Sequence, residues 1–246
     1  MFMRINSIRY NNSVVDGPGI RTVLFMQGCN IQCKGCQNKS TWDIEKGKEV
    51  DVDNLVKELN KKVFNKKITI SGGEPLMQID FVTELFKQAR EKGIHTALDT
   101  SGVFFNPENT VKIEKLLKYT SLVLLDIKHI DDEGHKKLTG HSNKNILAFA
   151  KYLSDKRVPM WVRHVVVPTI TYNEKYLVGL GKFMSELNNI QALDVLQYHE
   201  MAIPKYENLG IEYPLKGVLP LTKEQALEAK RIIYNAYKEN KELKNV

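Results

Sequence analysis

Lys67-Ile-Thr-Ile-Ser-Gly-Gly-Glu-Pro75, then Val82, Leu85, Phe86 and Ala89 at helical spacing, then Ile94-His-Thr-Ala-Leu-Asp99, is the stretch that decides the fold. Its two apolar runs are short and continuous rather than alternating, as strands buried on both faces are. A helix between two such strands makes a parallel crossover unit. Working outward, strand-like runs recur at 20–27, 121–127, 160–167 and 192–198, and a run near 3–10 reads as an edge strand or hairpin. Helical faces recur as Val52, Leu55, Leu59 and Val63, and as Ile146, Phe149, Ala150 and Leu153. Thr222-Lys-Glu-Gln225 is a capping box opening a C-terminal helix that carries Leu227, Ile232, Ile233 and Ala236. Strand followed by helix, about six times over, predicts an α/β fold. Either an incomplete (β/α)6 TIM-like barrel, open on one side, or a doubly wound sheet satisfies the pattern. With no linker or composition break, residues 1–246 are expected to form a single domain.

The chain has 246 residues, 42% hydrophobic and 26% charged, values that fit neither disorder nor a fibrous repeat. No apolar run approaches the ~18 residues of a membrane span. The first residues lack the basic and apolar segments of a signal peptide, so a cytoplasmic location is expected. Net charge is +7, but the densest basic runs are doublets such as Lys61-Lys62 and Lys136-Lys137 without interleaved aromatics. They read as solvated surface, not as a nucleic-acid or membrane face.

Polar residues cluster where the strand-like runs end: Gly28-Cys29, Ser71-Gly-Gly-Glu74, Asp99-Thr-Ser-Gly102, Asp126-Ile-Lys128, Arg163-His164 and Tyr198-His-Glu200. In a β/α barrel those ends form the mouth of the active site. All three cysteines, Cys29, Cys33 and Cys36, lie in one loop with the spacing C-x3-C-x2-C. An odd set packed so closely is no disulfide framework. Structural zinc needs a fourth ligand, and the nearest histidine is His95. A cubane held by three thiolates keeps one iron open for a reactant.

That motif, with Val15-Asp-Gly-Pro-Gly-Ile-Arg21, Phe25-Met-Gln-Gly-Cys29, Asn38-Lys-Ser-Thr-Trp-Asp43, Ile70-Ser-Gly-Gly-Glu-Pro75 and Trp161-Val-Arg-His164, resembles the radical S-adenosylmethionine (SAM) superfamily. Within it the chain resembles the activases of glycyl-radical enzymes, above all those acting on pyruvate formate-lyase. The resemblance runs from about residue 4 to the C-terminal helix. It implies a radical SAM core and a [4Fe-4S] cluster on Cys29, Cys33 and Cys36. It further implies one-electron cleavage of SAM, and a 5′-deoxyadenosyl radical that takes hydrogen from a glycine of the partner under anaerobic conditions. Such chemistry belongs to cluster and SAM, leaving binding and orientation to the protein. A reduced flavodoxin or ferredoxin is the implied electron donor.

The resemblance also assigns the SAM pocket. Gly72, Gly73 and Glu74 are expected to present backbone to the methionine amino group, and Asp126, Ile127 and Lys128 to contact SAM. Arg163 and His199 are expected to line the pocket, Arg163 through its fork of donors. Gly35, Cys36 and Gln37 are expected along the adenine edge, although the family commonly has an aromatic residue where this chain has Gly35 and a histidine where it has Gln37. Crowding of Asp99 and Asp126 near the SAM carboxylate predicts compensation, by a small cation held with Thr100 or by the SAM amino group with Lys128. Asp16 is the candidate contact to the partner's glycine loop. The aromatic stretch 203–214 reads as neither helix nor strand, and as either a flap making protein contacts or an ordinary packed loop. His95, His129, His135, His141 and His164 are read as surface or core histidines.

Two other readings remain. One is activation of a different glycyl-radical enzyme, such as anaerobic ribonucleotide reductase, whose activases are typically much shorter. Other lyase activases often carry a cysteine-rich insertion, and this chain has no cysteine beyond Cys36. The other is a thiolate metal-sensing regulator, for which no recognition helix is visible.

Overall fold

The structure, a computed structural model, describes residues 1–243. The chain divides into two compact units, Met1–Asn30 with Ser40–Leu125, and Ile31–Lys39 with the chain from Asp126 onward.

The first unit contains β1 (Phe2–Ser13), β2 (Arg21–Met26), β3 (Lys48–Asp51), α1 (Val52–Lys62), β4 (Lys67–Gly72), α2 (Ile79–Glu91), β5 (His95–Thr100), α3 (Val111–Leu117) and all but the last residue of β6 (Leu122–Asp126). Its sheet runs β3-β1-β2-β4-β5-β6. The four strands β2, β4, β5 and β6 are parallel. The run near 3–10 is β1, antiparallel to β2 on one side and to β3 on the other. Continuous apolar strands were the signal for burial on both faces, and Val23, Leu24, Ile68, Ile70 and Leu98 are wholly buried. Helix α1 starts where Asp51 accepts the N–H groups of Asp53 and Asn54, at 3.1 and 3.2 Å. It buries Val52, Leu55, Val56 and Leu59, while α2 buries Val82, Leu85, Phe86 and Ala89. Each such side chain contributes about 1.5–3 kcal/mol against exposure.

The second unit contains α4 (Asp132–Thr139), α5 (Lys144–Asp155), β7 (Met160–Val166), α6 (Glu174–Met184), β8 (Ile190–Gln197), α7 (Ile203–Glu207) and α8 (Lys223–Leu243). Strands β7 and β8 pair in parallel, Val162 opposite Leu193. The capping box forms at the start of α8: Gln225 N–H donates to Thr222 Oγ1 at 3.1 Å, and Thr222 N–H donates to Gln225 Oε1 at 2.9 Å.

The stretch 203–214 corrects the sequence reading, because its first five residues form α7. A five-residue helix is shorter than two 3.6-residue turns and so shows no recurring face, and Pro204 sits in its first turn, where a missing N–H costs nothing. Tyr206, Tyr213 and Leu215 are packed inside the unit, 1%, 5% and 4% exposed.

Candidate functional site

The Ser71-Gly-Gly-Glu74 turn closes on its own unit. Gly73 N–H donates to Met26 O at 3.0 Å, and Glu74 N–H to Gly28 O at 2.8 Å. A Cβ on Gly73 would stand 2.0 Å from Gly28 O, and one on Gly72 would stand 2.3 Å from Met26 N. Both glycines are therefore required by the approach of β4 to the end of β2, a reason the sequence alone did not contain. Glu74, 2% exposed, gathers four donors: the Leu76 and Ser101 amides and the Thr100 and Ser101 hydroxyls. Burial raises its carboxyl above the ordinary range, although all four donors favour the charged form. The Glu74 side chain thus binds the end of β4 to the end of β5. Asp99, the next strand end, accepts the Ser71 hydroxyl at 2.6 Å.

Asp16 sits in a loop braced from beneath. Its carboxylate accepts the Ser13 hydroxyl, and its backbone oxygen accepts the Thr69 hydroxyl at 2.7 Å. Arg21, fully buried, donates to Thr69 Oγ1 at 2.6 Å, to Ile68 O, and to Pro18 O at 3.5 Å. Burial lowers the Arg21 pKa to about 10, opposed by Asp16, yet a guanidinium stays charged there at neutral pH. Its Nη2 lies 3.1 Å from His95 Nδ1, which must accept. Burial first, and Arg21 next, lower His95 to about 4 and keep it neutral.

In the second unit, Asp126 Oδ2 pairs with Lys128 Nζ at 2.7 Å, while Asp126 Oδ1 is buried without a partner. Of the compensating groups expected for Asp126, the structure shows the lysine. Ile127 is buried, its N–H donating to Arg163 O at 3.0 Å and its oxygen bonded to His164 Nδ1 at 2.7 Å. Burial lowers His164 to about 4, so this ring is a neutral structural donor. Arg163 Nε lies 3.2 Å from Asp194 Oδ2. His199 keeps Nδ1 buried without a partner, and its oxygen accepts Gln37 Nε2 at 3.3 Å. Lys205 Nζ donates to Gln37 O at 2.7 Å, fixing the segment after Cys36 to α7.

Cys29 belongs to the first unit and Cys33 and Cys36 to the second. None of the three is in a disulfide, and all are partly exposed. Cys36 N–H donates to Cys33 O at 3.3 Å, and Asn38 N–H donates to Cys36 Sγ at 3.3 Å. Gly35 turns the loop with φ +77°, and a Cβ there would meet Leu215 Cδ1 at 2.7 Å and Tyr213 Oη at 3.3 Å. The space an aromatic residue would need is filled by the chain's own later segment. Among the described residues, no three His, Cys, Asp or Glu side chains gather as ligands of a single ion. Three soft thiolates with a backbone donor aimed at sulfur fit an iron–sulfur cluster better than a lone hard cation.

The remaining histidines have structural partners: His129 Nδ1 accepts Asp131 N–H at 3.0 Å, and His135 Nδ1 lies 2.6 Å from His141 O. Sequence reasoning missed Tyr206 and Tyr213, whose hydroxyls are buried without partners. The signal was present, three tyrosines after the last strand within the stretch 198–213, but their depth was not.

Residues 15–147, more than half of the chain, match the family model of the 4Fe-4S single cluster domain. The pyruvate formate-lyase-activating enzyme of Streptococcus mutans is 47% identical over 92% of this chain and 90% of its own length. That of Staphylococcus epidermidis is 44% identical over 89% and 90%. Among solved structures, a radical SAM methyltransferase from Sphaerobacter thermophilus superposes with a TM-score of 0.63 over 88% of this chain and 64% of that one, at 12% identity. That likeness assigns the fold alone, the α/β class expected from the sequence. With its single-cluster motif and close relatives over nearly its whole length, the chain belongs to the family of pyruvate formate-lyase-activating enzymes.

Proposed function

We propose that this chain activates pyruvate formate-lyase by generating a glycyl radical on it, with a [4Fe-4S] cluster and SAM as cofactors. Identity of 47% to a pyruvate formate-lyase-activating enzyme, with every cysteine confined to one C-x3-C-x2-C loop, carries this reading. When bound, cluster and SAM supply the reductive cleavage that yields the hydrogen-abstracting radical. Cys29, Cys33 and Cys36 hold the cluster. Lys128 and Arg163 offer charge to the SAM carboxylate, and His199 Nδ1 offers a buried ring nitrogen to a ribose hydroxyl. The backbone at Gly72, Gly73 and Glu74 meets the amino group, held in place by the Glu74 donors. Asp126 Oδ1, buried without a partner, is offered to a ligand donor. Asp99, Thr100 and Ile127 contribute to SAM binding, and Gly35, Cys36 and Gln37 present backbone to the adenine. Asp16 meets the partner's glycine loop, and residues 1–246 work as one domain. Flavodoxin or ferredoxin supplies the electron. Among the described residues no helix is long and apolar enough to cross a membrane, in keeping with work in the cytoplasm.

Anaerobic reconstitution tests the reading. The expected result is a brown protein that cleaves SAM under reduction and, mixed with pyruvate formate-lyase, gives the doublet spin signal of a glycyl radical. SAM cleavage with a radical only on anaerobic ribonucleotide reductase would reassign the partner. A colourless chain that binds zinc and DNA would reject the reading altogether.

A further inference from the structure

In the second unit the loop of Cys33 and Cys36 is rimmed by lysines. Residues 31–39 carry Lys34 and Lys39 and no acidic residue. Lys34 N–H donates to Leu138 O at 2.9 Å, which sets the exposed Lys34 beside the last turn of α4, where Lys137 is exposed too. On the other flank Lys205 Nζ donates to Gln37 O at 2.7 Å, and Lys39 Nζ stands 6.0 Å from the centre of the Tyr206 ring. Met201, Lys205 and Leu209 follow at i, i+4 spacing through α7 and its flanking turns, so they share one face. Met201 is 73% exposed, and Leu209 is exposed as well. Glu207 is the acidic residue of α7, while Asp132 and Glu133 of α4 are both paired with Lys136. Lys34, Lys39, Lys137 and Lys205 therefore give this face a positive balance around an apolar centre.

We infer that this face docks an acidic electron-carrier protein, which delivers the electron that the cluster needs. The inference rests on the cluster assignment above and adds where on the chain the donor sits. Electrons cross protein only over short distances, so a carrier has to come up against the loop that holds Cys33 and Cys36, both partly exposed. A redox encounter needs only a small surface, and charge attraction sets its rate more than buried area does. Lysines around an apolar centre suit such a contact: they steer an acidic partner in, and the exposed Met201 and Leu209 give it something to rest on. One electron leaves the reduced carrier and enters the oxidised cluster, with no bond made or broken and no proton moved. Part of the +7 net charge thereby acquires a task.

The test titrates an oxidised flavodoxin of net negative charge into the full chain, with and without its cluster. The same flavodoxin, reduced, is then timed as it reduces the cluster. Binding is expected to weaken as salt is raised. The pair Lys34→Glu and Lys137→Glu is expected to raise Kd about tenfold and to slow reduction by a similar factor. Met201→Ser is expected to weaken binding without altering its salt dependence. Photoreduced deazaflavin, small and uncharged, should reduce wild type and variants at equal rates, which separates docking from any change in the cluster. The pair Lys230→Glu and Lys238→Glu, exposed on α8, makes the same charge change elsewhere and should leave Kd within a factor of about two. A Lys34 and Lys137 pair that binds flavodoxin as wild type does, or an α8 pair that weakens it equally, overturns the inference and leaves the proposed function standing. So does a Lys34 and Lys137 pair that spares flavodoxin and raises KM for pyruvate formate-lyase, since the face then belongs to the lyase. A wild-type chain that takes up no iron and sulfide overturns the proposed function, and the inference with it.

Discussion

Several motif residues of the two units handle their buried polar groups differently. In the first, the motif residues are spent on the chain itself: Glu74 on four donors, Ser71 on Asp99, and the backbone of Gly73 on Met26. In the second, Asp126 Oδ1, His199 Nδ1 and the Tyr206 and Tyr213 hydroxyls lie buried without partners. A satisfied polar network rigidifies, whereas an unsatisfied buried group is a standing cost that a ligand can relieve. The Glu74 network therefore holds a frame in the first unit, while these four atoms of the second are left unspent by the chain itself.

The largest effect expected is on the cluster. Cys33→Ala should abolish both iron uptake and SAM cleavage, measured as iron per protein and methionine released; a chain that keeps either would break the assignment of the loop. Next comes the frame. Gly73→Ala drives a methyl into Gly28 O and should lower unfolding free energy by about 4 kcal/mol, above the common range for overpacking. Denaturant titration of the metal-free chain reads this directly, and a loss under 1 kcal/mol would mean the turn is not rigid.

Acid probes the second unit through His164. Its pKa is about 4 when folded, against an ordinary value near 6.5, so between these limits the unfolded chain binds the extra proton. Stability is full above pH 6.5 and is lost as pH falls towards 4, by roughly 3 kcal/mol at most. His164→Gln should flatten that part of the profile. Ser71→Ala strands one acceptor in the frame and should cost about 2 kcal/mol. Tyr206→Phe sharpens the contrast, because without a cluster its stability should equal wild type within about 0.5 kcal/mol or exceed it. A clear loss there would show that the hydroxyl already has a partner in the empty protein.

Much of this was legible in the sequence because local residue types carried it. Buried parallel strands reveal themselves through unbroken apolar runs, and the cysteine spacing points to a metal–thiolate site that the neighbouring motifs make specific. The capping box at Thr222 is written in four consecutive letters. Glu74 was harder: three of its four donors come from residues 100 and 101, so the brace its side chain forms between the ends of β4 and β5 is not written near it in the sequence. Gly72 and Gly73 were read as backbone presented to a ligand, and the structure adds a second reason for them, because a Cβ at either would strike the chain at Met26 or Gly28. Short α7 was invisible to periodicity. The absence of an aromatic residue at position 35 made no sense until Tyr213 and Leu215 were found occupying that volume.

Arg21 has one more consequence. With its guanidinium locked beneath residues 16–18, the loop that carries Asp16 has already surrendered its backbone freedom, about 1–2 kcal/mol per residue, when the chain folds. Val14 and Ile20, 72% and 48% exposed, flank that loop. A protein segment arriving there meets a surface that need not be ordered on contact, so more of the contact energy remains as affinity.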